Sequence, residues 1–163
     1  MKNLNDFQRG YLAAMLDGEG SIIAALCKPK LGWHDKKQKL RPATVRVAVS
    51  FSNSSLEMLK MLNEWTGLGR IVLARNTTYA NARPCWHLVI GGQPEMYDLL
   101  IEIRHGLIIK RAQADLMIDY LRSRMNRRAG LVWPRINDEE LAIIQRVRVL
   151  NNTYGKRPGS QTS

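Results

Sequence analysis

Two carboxylates close an apolar helical run in Leu12-Ala13-Ala14-Met15-Leu16-Asp17-Gly18-Glu19-Gly20. A helix is partially negative at its carboxyl end, so acids there are disfavoured, and stability alone would place Lys or Arg. Such a position points to chemistry, and hard-cation binding suits it. Mg²⁺ is held by one or two carboxylates, with water and phosphate oxygens completing its shell. Glu19, flanked by two glycines, is the candidate metal ligand, joined by the backbone carbonyl of Gly18 at the helix end. One glutamate makes no firm site. Two copies of it, brought together across a twofold axis, would. The competing reading of Glu19 is a solvent-facing turn acid. Asp17 points elsewhere along a helix and is expected to hydrogen-bond structurally near a helix interface.

Other metal or nucleophile patterns are missing from the sequence. His34, His87 and His105 have no mutual ligand spacing, and Cys27 and Cys85 lack a CxxC or His partner. Both cysteines read as small buried hydrophobes. The charge balance is more informative: 25 Lys and Arg against 14 Asp and Glu give a net +11. That surplus implies a polyanionic partner, and the basic residues cluster at 28–41, 70–83 and 122–135. No basic amphipathic helix supports a membrane surface, so nucleic acid is the expected partner. No run of about 18 apolar residues could span a bilayer. The opening MKNLNDFQRG lacks an apolar signal run, so the expected location is a bacterial cytoplasm, chloroplast or mitochondrion rather than outside the cell.

The elements around the acids follow from pattern and punctuation. Residues 7–17 read as a helix capped by Asn5 or Asp6 and stopped by Gly18 and Gly20. Gly10 and Ala14 lie four apart, as do Ala13 and Asp17, so small residues line a stripe that permits close helix packing. The stripe could pack on the chain's own core or on a second copy. A short helix and a single copy of the motif favour the second copy, with Gly10, Ala13, Ala14 and Asp17 as the dimer interface.

Strands are expected at 21–28 and 44–52. Val45, Val47, Val49 and Phe51 alternate with Arg46, Ala48, Ser50 and Ser52, which gives one buried and one polar face. Ser54 with Glu57 reads as a capping box opening a helix that Gly67 ends. A second hairpin (69–75 and 83–90), a helix from Pro94 to about Ile103, and a helix from about Lys110 to Arg124 follow. A last helix is expected from Asn137 to about Leu150. The fold class is α+β: a helix, then two ββα units forming one four-stranded antiparallel sheet, with an extra C-terminal helix. Residues 1–151 form one domain, and 152–163 are an expected disordered tail.

The nonapeptide, with this alternation of helix and hairpin over 7–121, resembles the single-motif, homodimeric LAGLIDADG homing endonucleases encoded within introns. The resemblance places Glu19 at the position of the metal-binding acid, where aspartate is commoner. It places Asn53, at the end of the second strand, where the family often has glutamine, and Lys110 at the family's active-site lysine. Ala14 stands where glycine is usual. The implied activity is site-specific double-strand cleavage of DNA with Mg²⁺ or Mn²⁺, the catalytic residues being Glu19, Asn53 and Lys110. The alternative is an intron RNA maturase, or a DNA-binding protein of the same fold that does not cut. The sheet would read a long pseudo-palindromic site through the major groove. Candidate contacts are Lys28, Lys30, Lys36, Lys37, Lys39, Arg46, Arg70, Arg75, Asn76 and Arg83.

Overall fold

The first helix, α1 (Asp6–Glu19), begins at a reciprocal cap. Asn5 Oδ1 accepts the Gln8 N–H at 2.9 Å, and Gln8 Oε1 accepts the Asn5 N–H at 3.0 Å. The computed structural model describes residues 2–27, 44–74, 84–128 and 135–155. Leu12, Ala13 and Leu16 form the buried side of α1. Its last residue, Glu19, runs straight into strand β1 (Gly20–Cys27) without a loop. Only glycine fits at that junction, because a Cβ on Gly20 would lie 2.8 Å from the Leu16 Cα.

β1 pairs antiparallel with β2 (Thr44–Asn53), Gly20 facing Phe51 and Cys27 facing Thr44. β4 (Trp86–Ile90) takes the other edge of β2, and β3 (Arg70–Leu73) the outer edge of β4. The sheet order is therefore β1-β2-β4-β3. Side chains alternate across it. Ile22, Ala24, Val47, Val49, Phe51, Leu88 and Ile90 are buried against the helices. The open face carries Ser21 and Ile23 from β1, Arg46 to Ser52 in alternation from β2, His87 and Val89 from β4, and Arg70 and Val72 from β3.

Helix α2 (Leu56–Thr66) starts one residue later than its capping pattern suggests. Ser55, not Ser54, is the cap, its hydroxyl accepting the Met58 N–H at 3.3 Å. The shift follows from Asn53, whose Oδ1 accepts the Ser55 N–H at 2.8 Å and closes the turn over Ser54. Glu57 thereby falls one position short of a capping box. At the other end Gly67 adopts φ 67°, the left-handed conformation that stops the helix. Helix α3 (Gln93–Ile103) gives way to a 3₁₀ turn at Arg104–Gly106 before α4 (Arg111–Asn126).

The last helix, α5 (Asp138–Gly155), runs beyond its expected end near Leu150, so the expected tail is helical as far as Gly155. Residues 156–163 lie outside the described residues. Cys27 and Cys85 are both free and half-buried. Among the described residues no helix is long and apolar enough to cross a membrane.

Glu140 secures α5 to the rest. Its carboxylate is fully buried, takes the Ser123 hydroxyl at 3.0 Å and the Arg127 guanidinium at 2.8 Å, and faces Arg124 at 3.5 Å. It also accepts the Asn137 N–H at 3.2 Å. Farther along α5, Asn151 Nδ2 donates to the Ile22 carbonyl at 2.9 Å, holding the helix over the free edge of β1. Glu140→Ala leaves the buried Arg124 and the part-exposed Arg127 without this carboxylate and should cost about 3–5 kcal/mol in urea denaturation.

Candidate nucleic-acid interface and metal centre

Helices leave their first N–H groups and last C=O groups unpaired. The carboxyl end of α1 and the amino end of α4 resolve that deficit against each other. Asp17 accepts the backbone N–H groups of Ile108 at 2.6 Å, Ile109 at 3.1 Å and Lys110 at 2.8 Å. In the opposite direction the Lys110 ammonium donates to the Asp17 carbonyl at 2.5 Å. Lys110 is itself the cap residue of α4 and makes no side-chain cap bond; Asp17, 93 residues away, instead takes the N–H of this cap residue and of the two residues leading into it.

The electrostatics follow from this geometry. Partial burial pushes the Asp17 carboxyl up, but three N–H donors and the Lys110 charge outweigh it and hold it below the usual carboxylate range. Burial lowers the Lys110 ammonium, and the Asp17 charge only partly offsets that. Lys110 is therefore a more acidic ammonium than a surface lysine, held at the helix end that carries Glu19.

Glu19 is exposed at the last position of α1. Asp17 is committed to the entry of α4, so the two acids of the motif differ in their surroundings. Asn53 ends β2 two residues beyond Phe51, which faces Gly20, so it lies at the same end of the sheet. Its Oδ1 is occupied by the turn, which leaves the amide Nδ2 as the other polar group of the side chain. Among the described residues of one chain, no three His, Cys, Asp or Glu side chains are grouped to hold an ion. Glu19 with the Gly18 carbonyl is at most half a site, which fits a centre built from two copies.

The small stripe splits in two. Gly10, Ala14 and Gly18 are exposed, and a Cβ on either glycine would meet open space. Ala13 faces inward instead: it is 0% exposed and packs so closely on the 3₁₀ turn that a Cβ on Gly106 would lie 2.9 Å from its own. Asp17 likewise bonds within its own chain. Phe7, 70% exposed, extends the open side of α1, with the Tyr11 ring 6.0 Å and the Trp65 ring 6.1 Å away.

Of the expected nucleic-acid contacts, Arg46 on β2 and Arg70 on β3 are exposed on the open face. Lys28, Lys30, Lys36, Lys37, Lys39, Arg75, Asn76 and Arg83 lie outside the described residues. Two features are absent from the sequence-based set. Ser52 Oγ and His87 Nδ1 are hydrogen-bonded at 2.7 Å across β2 and β4. Gln113 is buried with its Oε1 unpartnered, beside a cleft of about 400 Å³ lined also by Ser21, Lys110 and Asn151. Gln113 follows Lys110 by three residues, a helical spacing that could have linked the two.

No family sequence model matches the chain, and no curated protein matches it by sequence. Solved structures do. The homing endonuclease I-CvuI, solved in complex with its target, superposes with a TM-score of 0.57 at 19% identity, over 98% of this chain and 90% of that one. The chain has the LAGLIDADG homing endonuclease fold. The archaeal intron-encoded I-Vdi141I, complexed with DNA, matches with a TM-score of 0.56 at 16% identity, over 88% of this chain and 98% of that one. The LAGLIDADG endonuclease I-LtrWI, bound to target DNA, gives 0.58 at 12% identity, over 91% of this chain but 45% of its own. Single-domain size fits the single-motif type of this fold.

Asp17→Asn keeps one acceptor oxygen where three N–H groups now share two, and should destabilise the fold by about 1–3 kcal/mol. The lowered carboxyl fixes the pH window. The Asp17 contribution is complete above the ordinary carboxylate value near ~3.9 and is lost as pH falls through its own lower value. Urea melts of both proteins from neutral to acid pH check this: the gap should hold across neutral pH and close only in acid.

Proposed function

We propose that the protein is a site-specific double-strand DNA endonuclease that works as a homodimer with Mg²⁺ or Mn²⁺. The observation that carries this reading is Glu19, exposed at the end of α1 and next to the exposed stripe Gly10, Ala14 and Gly18. Pairing two α1 helices along that stripe would bring two Glu19 carboxylates and two Gly18 carbonyls together, enough for hard-cation sites. The length relation to solved endonucleases supports it, since the chain covers 45% of I-LtrWI but 86–90% of I-CvuI.

Glu19 and the Gly18 carbonyl would hold the divalent ion, which when bound would supply Lewis-acid activation. The remaining steps belong to the chain's own groups. Lys110, fixed by Asp17 and made more acidic by burial, places positive charge where the phosphate becomes more negative. Asn53 orients water through its amide Nδ2. The open face of the sheet lies in the major groove, with Arg46 and Arg70 among its contacts, and two copies read a pseudo-palindromic site. The biological role carried by this reading is cutting an intron-free allele.

Glu19→Gln removes the ligand charge and should lower cleavage upwards of about a hundredfold, while DNA affinity stays near that of the wild type. Cleavage of a plasmid library with Mg²⁺, beside gel-shift titration in Ca²⁺, tests both halves. A wild type that binds DNA or intron RNA but never cuts would favour a maturase or a binding protein of the same fold. Ala14→Phe tests assembly separately. Ala14 is exposed, so a single chain tolerates the ring, whereas paired helices lose about 1–3 kcal/mol from overpacking. Sedimentation should then show folded monomer, and an unchanged dimer would move the interface off α1.

A further inference from the structure

Ser52 and His87 face each other directly in the β2–β4 register, and the Ser52 hydroxyl is hydrogen-bonded to His87 Nδ1 at 2.7 Å. Their chain neighbours Phe51 and Leu88 are fully buried, so the pleat turns Ser52 and His87 to the open face. Both are partly exposed there. The bond pins the imidazole plane and engages one ring nitrogen. The other, Nε2, is left as the ring's second polar point.

Register locates the pair along the sheet. Gly20 faces Phe51, so the row containing Ser52 and His87 continues onto the α1–β1 junction where Glu19 sits. Two strand spacings of about 4.8 Å put His87 roughly 10 Å from that junction. Arg46 lies six residues back along β2, roughly 20 Å at ~3.3 Å per residue, or about six base pairs further out at a ~3.4 Å rise.

Resting on the endonuclease reading, we propose that His87, oriented by Ser52, is a base-contacting residue that sets sequence preference at the cut-proximal end of each half-site. A single oriented ring nitrogen suits a base edge better than a phosphate, which is commonly met by long flexible cations. If Ser52 donates to Nδ1, Nε2–H meets a purine N7 or a guanine O6. If Ser52 accepts, Nε2 accepts a hydrogen bond from an adenine or cytosine amino group. Ser52 is a positioning residue that acts through the ring.

The test is selection of the full-length protein, in Ca²⁺, against a randomised duplex pool, with bound sequences read and Kd measured on single-position variants. Wild type should discriminate roughly tenfold or more at one symmetric pair of cut-proximal positions. His87→Ala should reduce that to about twofold or less there and leave outer positions unchanged. Ser52→Ala, which keeps the ring but frees it, should fall between. Arg46→Ala should relax positions about six base pairs further out. If His87→Ala folds poorly, His87→Gln replaces it, and a changed base at the same positions supports the assignment. Unchanged preference in a folded His87 variant overturns it and leaves a cross-strand pair that only stabilises the sheet. A wild type that selects no sequence overturns the endonuclease reading, and this assignment with it.

Discussion

The clasp between Asp17 and the start of α4 is the interaction on which the candidate site depends. Two helix ends that would each expose unpaired backbone groups are joined, acid to N–H and ammonium to C=O. Each exchange repairs an unfavourable charge placement: Asp17 at a negative helix end and Lys110 at a positive one. The stabilisation comes from their being opposed. Once Asp17 is spent on this contact, Glu19 is the acid left facing out, and Lys110 cannot leave its neighbourhood without breaking the joint. The acid that joins the two helix ends and the acid that faces solvent lie two residues apart.

The sheet divides its work in the same manner. Its inner face is a continuous apolar layer closed by α1, α2 and α3, and α5 is held over the free edge of β1 by Asn151. That leaves the outer face, among the described residues, to small side chains, Ile23, Val72 and Val89, the exposed Arg46 and Arg70, and the Ser52–His87 pair. Among the described residues, the buried carboxylate on the helical side is Glu140, and it lies in a different joint.

Local patterns were legible in the sequence because their physics is local. The alternation in β2, the Asn5 cap, the Gly67 stop and the unusual acids of the nonapeptide all act within a few residues. The capping box at Ser54 was misplaced by one residue because Asn53 competes for the same turn. Ala13 could not be told from Ala14 by size. Which of the two faces out depends on the 3₁₀ turn at Gly106, more than ninety residues away. The partners of Asp17 were invisible for the same reason, although a structural role for it was readable. His87 carries no motif, and only strand register brings it beside Ser52.

The absence of any linker at Gly20 has a mechanical consequence. Because α1 passes into β1 within one residue, held by close contact with Leu16, the helix end and the strand move as one lever. If two chains pair along α1, the distance between their Glu19 residues is then fixed by how the α1 helices cross. The side chains on the sheet have no part in it. On the endonuclease reading, side chains on the outer face could be exchanged while the spacing of the two breaks stays where the helices put it.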